Sequence, residues 1–64
     1  MEEVWIEFIG RRVKVVYEDN TGETKTRIGN LKAISDGLLV LEQDKPYPTL
    51  FIRVQDIRRV EVLA

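Results

Sequence analysis

The run "TLFIRVQDI", Thr49 to Ile57, carries a single arginine, Arg53, between an apolar stretch and a polar turn. A guanidinium plane in that position can stack on an unpaired base, a general mode of single-strand recognition. The plainer reading is a solvated arginine paired with Asp36 or Asp56, since exposure is the rule for arginine.

A second set of cations, Arg12, Lys14, Lys25 and Arg27, flanks the turn Asp19 to Gly22, and several strand registers would put all four on one face. Like charges directly opposite one another cost roughly 0.2–1 kcal/mol per pair. Such a face needs something negative nearby, which could be Glu18, Glu23, a neighbouring subunit or a phosphate backbone. Arg58, Arg59 and Glu61 form a third cluster near the chain end, either a charged outward face that blocks aggregation or one half of an ion pair between subunits. Of the aromatic residues, Phe8, Tyr17 and Phe51 are expected in the core. Tyr47, between Pro46 and Pro48, either caps one end of the fold or offers an exposed ring for stacking.

Catalytic chemistry has little material here. There is no histidine for acid–base work and no cysteine nucleophile. Ser35 has no base in a recognisable arrangement, and Asp36 with Asp56 is the one carboxylate pair worth naming. The absence of histidine and cysteine also argues against an ordinary zinc site, and no phosphate-binding glycine loop occurs. The reading is of a non-enzyme with no metal or cofactor.

The elements that must hold these residues follow mainly from a period of two. Val13, Val15 and Tyr17 alternate with Arg12, Lys14 and Val16, a half-buried strand. "DNTG" then supplies turn residues. Alternation resumes in "ETKTRIGNLKAI", where Gly29 marks a bulge or sharp bend of the kind a closing sheet needs. "SDG", Ser35 to Gly37, is a second tight turn. "LLVLE" is a strand apolar on both faces, "QDKPYPT" a proline loop, and "LFIRV" and "RRVEVL" are two strands around a short turn. Residues 1–9 fit either a short helix ended by Gly10, with Val4, Trp5, Phe8 and Ile9 on one face, or a strand. The helix is preferred. Four or five short strands with close turns describe an all-β fold, a small strongly curved barrel of SH3-like size.

All 64 residues read as one domain, 44% apolar and 33% charged, with a formal net charge of −1. A chain of this length buries only about 60% of its unfolded surface, which favours self-association in the absence of disulfides. No apolar run approaches the roughly 18 residues of a membrane span. "MEEVWIEF" lacks the basic start of a secretory signal, so a cytoplasmic location is expected. The slight negative charge argues against a whole-surface grip on nucleic acid.

"FIGRRVKVVYED" followed by "IGNLKAISDGLLVLE" resembles the first motif of the Sm and Sm-like (Lsm) proteins, with Gly10, Val13, Val15, Gly29 and Leu31 in the matching places. "FIRVQDIRRVEV" resembles the shorter second motif through Ile52, Arg53 and Ile57, with Val54 where that family has glycine. The resemblance implies a bent five-stranded antiparallel barrel after a short helix, assembled edge to edge into rings of six or seven that bind RNA around a pore. It also implies a base-binding role for Arg53. The family's turn carries an aspartate and an asparagine that help hold a uracil. Here Ser35 and Leu39 stand at about those places, and Asp36 replaces the aspartate only with a one-residue shift.

Together these readings describe a homo-oligomeric ring that binds single-stranded RNA through Ser35, Asp36, Gly37 and Arg53. The alternative is a protein-interaction or scaffold module on the same SH3-like barrel, with no RNA.

Overall fold

The computed structural model describes residues 3–63. It opens with one turn of helix, α1 (Glu3–Ile6), and continues with five strands: β1 (Arg12–Glu18), β2 (Thr24–Ser35), β3 (Leu38–Glu42), β4 (Leu50–Arg53) and β5 (Ile57–Val62). A 3-10 turn, Val54–Asp56, joins the last two. All pairings are antiparallel, and the strands form a single sheet in the order β4-β3-β2-β1-β5. The sheet is not closed within the chain. Its two ends, β4 and β5, do not pair with one another.

Alternation in the sequence becomes burial in the sheet. Val13 and Val15 are fully covered and Tyr17 nearly so, while Lys14 and Val16 between them are half-buried. Leu31, Leu39, Leu41, Ile52 and Ile57 complete the core. Burying each of these aliphatic side chains contributes about 1.5–3 kcal/mol relative to leaving it in water. "LLVLE" divides as its two-sided apolarity implied: Leu39 and Leu41 face the core, and Leu38 and Val40 face outward.

Strand β2 is long because it serves two partners. Its residues 24–30 pair with β1, and its residues 30–35 pair with β3. The strand bends where one partner gives way to the other, and the register with β3 shifts between Leu31 and Ala33. Gly29 sits at this change-over. A β-carbon there would collide with the carbonyl oxygen of Glu42 and come within 3.1 Å of Leu41 Cγ. The glycine therefore marks a close approach of two backbones, while the register shift itself falls just beyond it.

The N-terminal segment adopts the helical alternative over Glu3–Ile6, and hydrogen bonds from Phe8 N–H to the Trp5 carbonyl and from Ile9 N–H to the Ile6 carbonyl extend the turn. Gly10 follows with φ +90°. Trp5 and Phe8 pack against the core as expected of the shared apolar face. Ile9 departs from that expectation and is exposed, as is Ile6. The first two residues, and the side chain of Val4, lie outside the described part.

Candidate nucleic-acid interface

Ser35 pairs with Leu38, so Asp36 and Gly37 form a two-residue hairpin loop. Their φ values, 54° and 76°, are both positive, which is the primed turn that an Asp-Gly pair favours between twisted strands. On the other side of β3, Leu38 pairs with Arg53 at the end of β4. The backbone then ties the turn to the start of the 3-10 segment: Val54 N–H donates to the Gly37 carbonyl at 2.9 Å. The result is a shallow cleft of about 470 Å³ lined by Asp36, Gly37, Leu38, Arg53, Val54 and Gln55. Three of the four residues singled out from the sequence, Asp36, Gly37 and Arg53, thus share one cleft. Ser35 is exposed on the neighbouring strand end but does not line it.

Arg53 has a partner inside the chain. Its Nε donates to Asp56 Oδ2 at 2.8 Å, across the 3-10 turn. Asp56, one of the two carboxylates named for it from the sequence, takes the interaction. Asp36 and Asp56 line different clefts, with Arg53 contributing to both. The second of these, about 400 Å³, lies against Tyr17, Glu18, Asp19, Asn20 and the ring of Phe51.

The four-cation face is corrected by the strand register. Arg12 and Lys14 lie opposite Asn30 and Ile28, whereas Lys25 and Arg27 lie opposite Tyr17 and Val15. Residues directly opposite one another share a face. The first pair of cations therefore points to one side of the sheet and the second pair to the other. Three of the four have carboxylate partners: Arg12 with Asp44 at 2.6 Å, Lys14 with Glu61 at 3.4 Å, and Lys25 with Asp19 at 3.5 Å and Glu23 at 3.7 Å. Glu18 instead meets Arg58, and Arg59 meets Glu61 at 2.8 Å. Arg27 has no carboxylate partner among the described residues and donates to the Thr26 carbonyl at 2.8 Å.

Two carboxyl groups are lowered from their ordinary values. Asp19 is lowered to about 2, first by the Thr21 hydroxyl; burial opposes this as the next largest effect, and the Glu23 and Thr21 backbone N–H groups and the charge of Lys25 lower it further. Asp44 is lowered by its hydrogen bond and charge interaction with Arg12, whose own guanidinium is raised in return. Among the described residues, no group of three or more acidic side chains is placed to hold a metal ion. No helix among them is long and apolar enough to cross a membrane.

Phe51 departs from the sequence reading, and the groove beside Tyr47 was not part of it. Phe51, expected in the core, is 63% exposed. Its neighbours Leu50 and Ile52 turn inward, so Phe51 shares the outer face with Arg53 and lies opposite Val40. The alternation around an exposed Arg53 was the available signal. Tyr47, 66% exposed, forms one wall of a groove of about 760 Å³, together with Arg12, Arg27, Ile28, Asp44 and Leu50. Nothing in the local sequence linked the proline loop to the start of β1, because the Arg12–Asp44 contact spans 32 positions.

No family model matches the chain, no curated protein does, and no solved structure does.

Proposed function

We propose that this chain is a non-catalytic, single-stranded RNA-binding protein of Sm-like character that acts in the cytoplasm as a homo-oligomeric ring. The observation that carries the reading is the convergence of the Asp36–Gly37 turn and Arg53 on one cleft, braced by the Val54-to-Gly37 hydrogen bond. A base entering that cleft would stack on the Arg53 guanidinium and meet the polar backbone of the turn.

Assembly follows from the free ends of the sheet. An unpaired edge strand is a template for pairing, and this sheet has two, β4 and β5. Joining β4 of one protomer to β5 of the next completes a bent barrel-like wall and generates a closed ring when the rotation permits. Phe51, exposed on β4, gains cover in such a joint. A ring of six or seven protomers repeats Arg53 around the pore, so a local positive potential coexists with a protomer of net charge −1.

One observation favours the second reading, a protein-interaction module without RNA. Arg53 already has its carboxylate in Asp56, which satisfies the guanidinium in the absence of a ligand. Fluorescence anisotropy with a labelled mixed-sequence single-stranded RNA separates the two. RNA binding that is lost in Arg53→Ala while the oligomer persists supports the ring that binds RNA. No binding above background at physiological salt favours the module.

A further inference from the structure

The bend in β2 leaves a third open edge, distinct from the ends of the sheet. Strand β3 pairs with β2 only from Asn30 onward, so the side of Thr24–Gly29 away from β1 has no strand partner among the described residues. The direction of its backbone groups follows from Leu31, whose N–H donates to the Arg11 carbonyl and whose carbonyl accepts from Gly10 N–H. Leu31 therefore faces β1. In an antiparallel ladder the direction alternates, so Thr24, Thr26 and Ile28 turn their N–H and carbonyl groups to the open side.

This edge, through Thr26, Arg27 and Ile28, lines the groove of about 760 Å³ beside Tyr47. The groove's far wall is the loop between β3 and β4, with Tyr47 and Pro48, together with Leu50 at the start of β4, and the Arg12–Asp44 ion pair anchors that loop to the start of β1. Ile28, 43% exposed, supplies an apolar surface between them. Arg27 folds back onto the Thr26 carbonyl, covering one acceptor of the edge with a cation that has no acidic partner among the described residues. A charged side chain laid over a free edge blocks indiscriminate pairing.

We propose that this groove is a docking site for an extended acidic-apolar peptide segment of a partner protein, added as a strand to Thr24–Ile28. The backbone of such a segment would satisfy the outward groups of Thr26 and Ile28. One of its apolar side chains would lie against Ile28, Tyr47 and Leu50, and a carboxylate would draw Arg27 away from the Thr26 carbonyl. The charge pattern favours a peptide over a polyanion. Among the described residues the groove offers one uncommitted cation, Arg27, while Asp44 adds a carboxylate that would repel a phosphate chain. Arg53 is not part of this groove, so the proposal stands apart from the RNA reading.

The test is a titration of the isotope-labelled full chain, followed by amide NMR spectra, with a short blocked peptide of alternating valine and glutamate. The amides of Thr24, Thr26, Ile28 and Tyr47 are expected to shift together. Methylating alternate peptide nitrogens is expected to abolish the shifts, and replacing glutamate by lysine to weaken binding about tenfold, the scale of one charge-assisted hydrogen bond. Arg27→Ala is expected to produce the same loss. Should that variant fold poorly, the lysine peptide asks the same question of the unaltered chain. Unmoved β2 amides, equal binding of the lysine peptide, or shifts confined to β4 and β5 would overturn the proposal. So would the same shifts produced by single-stranded RNA in place of peptide, or by raising the protein concentration alone.

Discussion

Arg53 and Asp56 bracket the 3-10 turn between β4 and β5 and meet through a 2.8 Å hydrogen bond from Nε to Oδ2. The pair gives the proposed RNA site an internal competitor. A base or phosphate that engages Arg53 must share it with, or take it from, Asp56. Asp56→Asn, which keeps the shape and removes the charge, is therefore expected to tighten RNA binding a few-fold. Arg53→Ala is expected to weaken it about tenfold or more, the effect of losing one charge-assisted or stacking contact. Anisotropy titrations of the two variants at fixed salt check both directions. Equal affinities would remove Arg53 from the site.

Phe51 tests the assembly separately from the ligand. It is exposed on an edge strand, and its side chain contributes little to the core of one chain. Phe51→Glu is expected to dissociate the oligomer while leaving the strand signal in circular dichroism unchanged. The stability of the released protomer should stay within about 0.5 kcal/mol, as for an ordinary surface change. Light scattering coupled to size exclusion gives the mass directly. An oligomer of unchanged mass would contradict edge-to-edge assembly through β4.

Gly29 tests the bend. An added methyl group there meets the Glu42 carbonyl, which is held in the β2–β3 pairing. Gly29→Ala is expected to destabilise the chain by about 1–3 kcal/mol, the usual range for overpacking a filled interior. The urea midpoint should fall with little change in slope. An unchanged midpoint would mean that the strands part there without cost.

Acid sensitivity follows from Asp19, whose carboxyl lies at about 2 in the fold against 3.8 ordinarily. A carboxylate with a depressed folded value adds stability that is full above the unfolded value near 4 and disappears as pH falls through about 2. Asp44 acts in the same direction. Stability is therefore expected to decline on acidification through this window. Asp19→Asn, which keeps an oxygen to accept from Thr21 and Glu23, is expected to be less stable at neutral pH and to show a flatter acid limb. Urea midpoints measured from neutral to acidic pH for both proteins decide it.

Much of the sheet was legible because alternation is a local property. Val13, Val15 and Tyr17 declared the inner face of β1, and the Asp-Gly pair declared its turn. The face of Lys25 and Arg27 was not legible, because one residue of register moves a strand's side chains from one face to the other. Phe51 was misread for a related reason: its size argued for burial, whereas its parity with Arg53 placed it outside. The cleft itself required the long-range pairing of Leu38 with Arg53, which no local pattern encodes. The open edge of β2 likewise depends on where β3 stops pairing, which is a property of the bend.

Native mass spectrometry of the purified chain, with and without a short mixed-sequence single-stranded RNA, reads the ring and its ligand in one experiment. A closed ring of six or seven protomers is expected to gain the mass of one RNA and to lose that gain in Arg53→Ala. A ring that ignores RNA would contradict the proposed ligand, and a bare monomer or dimer that ignores RNA would contradict both the ring and its pore.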